Sequence, residues 1–356
     1  MWAKVKRSGN VSMKEETRAT LRRFEKYMTI WVLISIVAGF LLGDFFPELG
    51  AWIERLQVGD VSIPIGIALF LIMYPTMVGI EFKELVKAAK SPKPVLLTLV
   101  GNWVVAPALM TLLARLFLNN YPQFTAGVIL LGIAPCTGMI LFWILLAGGD
   151  VANGVIITAI NALSTLILYT PIAALYLGVG GVPIPIAPIA ESVIFFVGLP
   201  LVLGQITRRT LLKRKGEMWF KEKFQPILGN ISVIALLATV IILFSLKGEI
   251  IADQPLLVGL ISIPLLAHFF IMASLFYIIP WFLGFEYRDA ATIAFISSGT
   301  QFEVAIATAI TVFGVGSGAA LATVVGPLWE VPSMLAFVKI ASKTSHRFSS
   351  SRRTWG

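Results

Sequence analysis

The sequence predicts an all-α polytopic membrane protein with ten transmembrane helices in an inverted five-plus-five repeat. Three observations carry this. The composition is too apolar for a water-soluble domain. Of 356 residues, 57% are hydrophobic and 13% charged, with a mean hydropathy of +0.88, whereas soluble chains carry about 25% charged residues. The apolar residues gather into ten runs, long enough as helix to cross a hydrocarbon layer of about 30 Å. Finally, the punctuation of the chain falls into register with itself at a shift of 165 residues.

The elements follow in order. The predicted runs are 27–43, 62–80, 94–118, 125–147, 151–179, 188–212, 226–246, 256–283, 287–313 and 317–341. Residues 1–26 form a basic arm, and the first run reads as a retained helix because it lacks a signal-peptide cleavage site. Residues 16–30 have the pattern of an amphipathic segment lying on the inner surface. "MYPTM" at 73–77 places a proline kink in the second run. Very short turns, "AGGDVANG" and "FGVGSG", join runs four to five and nine to ten. The "GVGSG" at 314–318 lacks the strand and lysine of a phosphate loop and reads as a tight turn. The tail, 342–356, reads as disordered. The first repeat thus spans 27–179 and the second 188–341.

Charge sets the expected orientation. Of the 28 Lys and Arg residues, 25 fall on one side, in the arm, the second, sixth and eighth connections, and the tail. The sixth connection is the richest, running from Arg208 to Lys223. Both termini are therefore expected in the cytoplasm, and an even helix count requires the same. The net charge of +9 reads as topology and contact with anionic membrane lipid. No soluble basic face points to nucleic acid. One cysteine excludes an intramolecular disulfide.

The repeat makes a local prediction. Five helices per half is odd, so the halves enter the membrane from opposite sides, as in secondary transporters with midplane sites between discontinuous helices. The fourth and ninth runs should both be broken. "GIAPCTG" interrupts the fourth, where Pro135 removes a backbone donor and biases Ala134 away from helix. "SSGTQ", Ser297 to Gln301, interrupts the ninth. The shift sets Pro135 on Thr300 and Cys136 on Gln301, so the two breaks are expected to cross around a small polar centre.

Few ionisable groups lie deep in the runs. Glu303 sits two residues beyond the ninth-run break, and Glu330 lies between Pro327 and Pro332 in the last run. A carboxylate inside the membrane is costly and marks function; both are candidates for proton coupling. His268, in the eighth run, reads chiefly as a helix–helix hydrogen-bonding residue. Cys136 at the crossing is a soft ligand suited to thiophilic species. Pro135, Thr137, Ser298, Thr300 and Gln301 complete the candidate substrate site. Asn102, Trp103 and Asn161 read as interhelical bonding groups that could also support the pocket.

These residues together resemble the arsenical-resistance arsenite efflux permeases, a branch of the bile acid/arsenite/riboflavin transporter superfamily. The segments that carry the resemblance are "MYP" at 73–75, "NWVVAPALM" at 102–110, "LGIAPCTGMILFWILLAGGD" at 131–150, "FEVAIATAI" at 302–310 and "GSGAALATVVGPLWEVPSML" at 316–335. The resemblance implies a panel and a core domain, the core built around crossed, unwound helices four and nine. It also implies export of arsenite, and in some members antimonite, driven by proton influx. An essential cysteine and glutamate of that family map onto Cys136, the expected ligand of the metalloid arsenic, and Glu303. This chain departs from the family at Gly299, Thr300 and Gln301, where asparagines are usual, at Gly79 in place of a basic residue, and at Ala162 in place of an aspartate. Ser297 stands where the sodium-coupled relatives have an acid, which weakens a sodium site and favours protons.

The expected partners are thus arsenite or antimonite, protons and membrane lipid, with no cofactor and no specified oligomeric state. A sodium-coupled organic-anion symporter of the same fold is the alternative; it wants a deep cation, and none is evident. An intramembrane enzyme would want a nucleophile–base pair or "HExxH", and the chain has neither. A sensor would add a signalling domain.

Overall fold

The computed structural model describes residues 28–46, 48, 56–58, 61–82, 92–137, 139–179, 186–253 and 255–348. The basic arm, most of the amphipathic 16–30 segment, the lysines at 83, 87 and 90, and the tail beyond 348 lie outside the described residues.

Every predicted apolar run is helical. The helices are α1 (Met28–Phe45), α2 (Ile63–Gly79), α3 (Pro92–Leu118) and α4, in two halves, α4a (Pro122–Ile133) and α4b (Ile140–Ala147). Then come α5 (Val151–Val179), α6 (Ile186–Val193 and Leu199–Trp219), α7 (Gln225–Asp253) and α8 (Pro255–Phe282). The ninth is again halved, α9a (Tyr287–Ser298) and α9b (Phe302–Phe313), and α10 (Gly318–Thr344) ends in a short 3-10 turn. Several of these are long and apolar enough to cross a membrane. A two-residue antiparallel ladder, Gln57–Val58 with Val61–Ser62, precedes α2.

Their packing follows two groupings. Helix α7 lies along α1 and α2, and α6 along α2. In the other grouping α8 packs on α3, α9a and α10, while α4a packs on α3 and α10. Lipid-type side chains such as Ile167 and Leu116 point outward, and the apolar contact between groupings is made by residues like Met73, Phe302 and Leu236.

The second run keeps its expected extent, and the sixth helix runs longer than hydropathy marks. Pro75 sits inside α2, which continues past it to Gly79. The sixth connection is itself largely helical. Helix α6 runs on to Trp219 with a single break at Gly216, whose φ of 82° only glycine takes readily. Chain direction then passes through a π-turn, Phe220–Phe224, into α7.

The reason is visible at Arg208, which the sequence counts with the basic sixth connection and which is only 7% exposed. Its guanidinium sits 2.7 Å from the Glu81 carboxylate and 5.1 Å over the Phe220 ring. It donates to the Val78 carbonyl at 3.2 Å, and Gln205 donates to the carbonyls of Met77 and Ile80, both at 3.0 Å. Together they satisfy the orphan carbonyls at the end of α2. Glu81→Gln is expected to destabilise the protein by about 2 kcal/mol, less than a fully buried pair would lose because Glu81 is partly exposed. The melting temperature in detergent checks this, with Lys213→Gln as a neutral comparison.

Candidate functional site

The two halved helices meet at their breaks. Ala134 closes α4a with φ −86° and ψ 109°, the extended geometry that a following proline favours. Gly299 closes α9a in a similar extended geometry. Between them Pro135 and Thr300 form an antiparallel bridge. The Cys136 amide donates to the Gly299 carbonyl at 3.2 Å, and the Gln301 amide donates to the Ala134 carbonyl at 2.7 Å. Backbone groups freed by the two breaks thus satisfy one another, which is what irregular backbone at membrane depth requires.

Close approach explains one glycine. A Cβ on Gly299 would lie 2.8 Å from both Cys136 Cβ and Ile140 Cδ1. Gly299→Ala is expected to push the segments apart and cost about 1–3 kcal/mol, as overpacking does. A fall in melting temperature, with transport lost in parallel, is the measurement.

Around this bridge the candidate residues are not equally placed. Gln301 Nε2 donates to Thr137 Oγ1 at 3.0 Å and contacts the Met73 sulfur of α2 at 3.4 Å. Thr300 Oγ1 donates to Glu330 Oε2 at 3.3 Å. Glu330 is 1% exposed, and its helix α10 packs against α9b, which carries Glu303. Ser298 instead turns its hydroxyl back to the Ala294 carbonyl of its own helix at 2.8 Å. Cys136 is buried with Ile140, Trp143 and Phe295.

Asn102 and Asn161 pair with each other at 3.1 Å, and Trp103 donates to Ser164 at 3.1 Å. Asn102 and Trp103 belong to a π-turn, Gly101–Val105, inside α3. These bonds tie α3 to α5 beside the crossing. His268 is fully enclosed on α8.

A cavity of about 630 Å³ reaches the crossing from one side. Its lining joins Thr137, 6% exposed, and Glu303, both beside the breaks and so at its inner end, to the apolar Met139, Phe142 and Leu228 and to the more exposed Glu81 and Lys221, which mark its mouth. Cys136 does not form its wall. Lys221 Nζ donates to Glu217 at 2.6 Å and lies 3.8 Å from Glu81. The Glu217 hydrogen bond raises the Lys221 pKa above the ordinary lysine value, so the mouth keeps its cation at neutral pH. Glu81, Lys221 and Gln225 were not singled out from the sequence. Their positions at helix ends look like ordinary solvated termini, and only the packing of α2 against α6 and α7 brings them to one rim.

Comparison with known proteins identifies the family. Residues 66–254 match the Sodium Bile acid symporter family. The chain is 38% identical over 337 residues to the Arsenical-resistance protein Acr3 of Alkaliphilus metalliredigens, covering 91% of this chain and 94% of that one. It is 33% identical over 335 residues to the Acr3 of Corynebacterium glutamicum, covering 91% and 90%. An uncharacterized transporter of Synechocystis sp. is 43% identical over 352 residues, covering 92% and 91%. These relatives are transporters and not enzymes. The apolar helices, the bridged breaks and these similarities lead to one assignment: the chain is an integral membrane transport protein of the Sodium Bile acid symporter family, belonging with the arsenical-resistance Acr3 proteins.

Proposed function

We propose that the protein exports arsenite, with antimonite as a second substrate, from the cytoplasm in exchange for protons. The observation that carries this reading is the juxtaposition at the crossing. Glu303 and Thr137 share the inner end of the cavity, and Cys136 is the next residue on the bridged segment. The Acr3 relatives supply the substrate class.

In this reading the ten helices are two inverted repeats, 27–179 and 188–341. Helices α1, α2, α6 and α7 form the panel, and α3–α5 with α8–α10 form the core. The cavity runs between them and opens where α2 ends and α7 begins, the side with the excess of Lys and Arg, hence toward the cytoplasm. Arsenite near neutral pH is a neutral trihydroxide. It enters past Lys221 and passes Thr137 to reach Cys136. The sulfur displaces one hydroxyl: an arsenic–sulfur bond forms, an arsenic–oxygen bond breaks, and the thiol proton leaves with the hydroxyl as water. Water reverses the step on release. One sulfur ligand permits release, whereas three would hold the metalloid too tightly. Thr137, Thr300 and Gln301 bond the remaining oxygens. Ser298 donates its hydroxyl to the Ala294 carbonyl of its own helix, so its part in the site is that of an acceptor.

Glu303 and Glu330 act as one titrating unit. A proton on this pair and substrate at the crossing exclude each other, and the core moves against the panel to expose the site alternately. Proteoliposomes with an imposed pH gradient and independently varied sodium test the reading. Arsenite flux should follow the pH gradient and ignore sodium. Flux driven by sodium alone would replace it with the organic-anion symporter reading.

A further inference from the structure

A second cavity, of about 450 Å³, lies between the C-terminal ends of α8 and α10, remote from the crossing. Its floor is aromatic. The Phe348 ring packs on Tyr277 at 4.9 Å and on Tyr287 at 5.7 Å. Trp281 Nε1 donates to the Arg347 carbonyl at 3.2 Å, and the Tyr277 hydroxyl donates to the Ala341 carbonyl at 3.2 Å. These contacts fold the end of α10 back onto α8, so the recess has fixed walls. Its outer side is open and apolar: Ile278, Phe282 and Ile340 are all exposed, Phe282 at 77%.

The rim is cationic. Arg347 borders the recess. Lys339, Lys343 and Arg347 recur every four residues, which places them along one face of the helix end. All three are exposed, and no acidic side chain among the described residues forms an ion pair with them. The sequence continues with Arg352 and Arg353. An aromatic, outward-opening slot with an unneutralised basic edge at a helix terminus matches the chemistry of the membrane interface, where tryptophan sits at headgroup level and basic residues attract anionic lipid.

We propose that this recess binds one anionic phospholipid, its acyl chain along Ile278, Phe282 and Ile340, its phosphate at Arg347 and its glycerol region beside Trp281. A zwitterionic lipid would fill the same apolar slot but gain less from the basic edge. The assignment is independent of what the transporter carries.

Native mass spectrometry of the full-length protein, titrated in detergent with phosphatidylglycerol or phosphatidylcholine, tests it. One phosphatidylglycerol should bind in preference to phosphatidylcholine. Arg347→Gln should weaken phosphatidylglycerol binding about fivefold, the effect of one interfacial cation, and leave phosphatidylcholine binding unchanged. Trp281→Leu should weaken both lipids. Lys213→Gln, a cation elsewhere on the same side, should change neither. Helicity by circular dichroism verifies that each variant is folded, and Lys343→Gln replaces Arg347→Gln if the latter is not. Equal binding of the two lipids, or an unchanged phosphatidylglycerol affinity in a folded Arg347 or Lys343 variant, would overturn the proposal.

Discussion

Cys136→Ser is expected to abolish arsenite efflux while leaving the fold intact. Serine is close in size, and its amide can still donate to the Gly299 carbonyl, so the bridge between the two breaks survives. What disappears is the soft ligand. An oxygen in its place has no special affinity for a thiophilic centre. Losing even an outer-shell partner at a metal site costs about 10- to 100-fold, and losing the only sulfur should cost at least that. Uptake into everted vesicles, with the melting temperature measured in parallel, is the assay. Cys136→Ala serves as the apolar control, because the side chain packs among Ile140, Trp143 and Phe295. If either variant transports at the native rate, the sulfur–arsenic step is wrong and the thiol is merely a small core residue.

Glu303→Gln should remove coupling. The amide keeps the size and polarity of the side chain at the inner end of the cavity, but it cannot carry a proton. Proton/arsenite exchange is expected to fall on the order of 100-fold, the low end for loss of a positioned proton acceptor. Arsenite binding by the variant should depend less on pH than in the native protein, because only Glu330 of the titrating pair remains. Glu330→Gln should weaken exchange less, since it removes one member of the pair and leaves Glu303 on the cavity wall. Native exchange by Glu303→Gln would end its role in coupling.

Some of this was legible in the chain because it depends on composition and near-neighbour spacing. Ten apolar runs mark ten helical stretches because burial of backbone in hydrocarbon forces local hydrogen bonding. Pro135 and the "SSGTQ" segment mark breaks because their effect on the backbone is local. Glu303 stands out because a carboxylate in such a run is costly wherever it faces. The sixth helix runs longer than hydropathy marks. Hydropathy registers that Arg208 is charged and cannot register that Glu81, 127 positions earlier, neutralises it.

The sequence by itself therefore determined that the chain is a helical membrane protein, where its helices are interrupted, and which acids and which single thiol lie deep within them. These are properties of short segments, set by covalent geometry and by the cost of burying polar groups. The 165-residue shift also anticipated that Pro135 would meet Thr300, as the bridge shows; tertiary structure decided the remaining side-chain meetings. It bonded Gln301 to Thr137 and Thr300 to Glu330, set the Ser298 hydroxyl on its own helix, left Cys136 out of the cavity lining, and gathered Glu81 and Lys221 at the mouth. Those pairings span 30 to 164 residues and arise from side-chain packing across helices, for which no local pattern in the chain carries a signal.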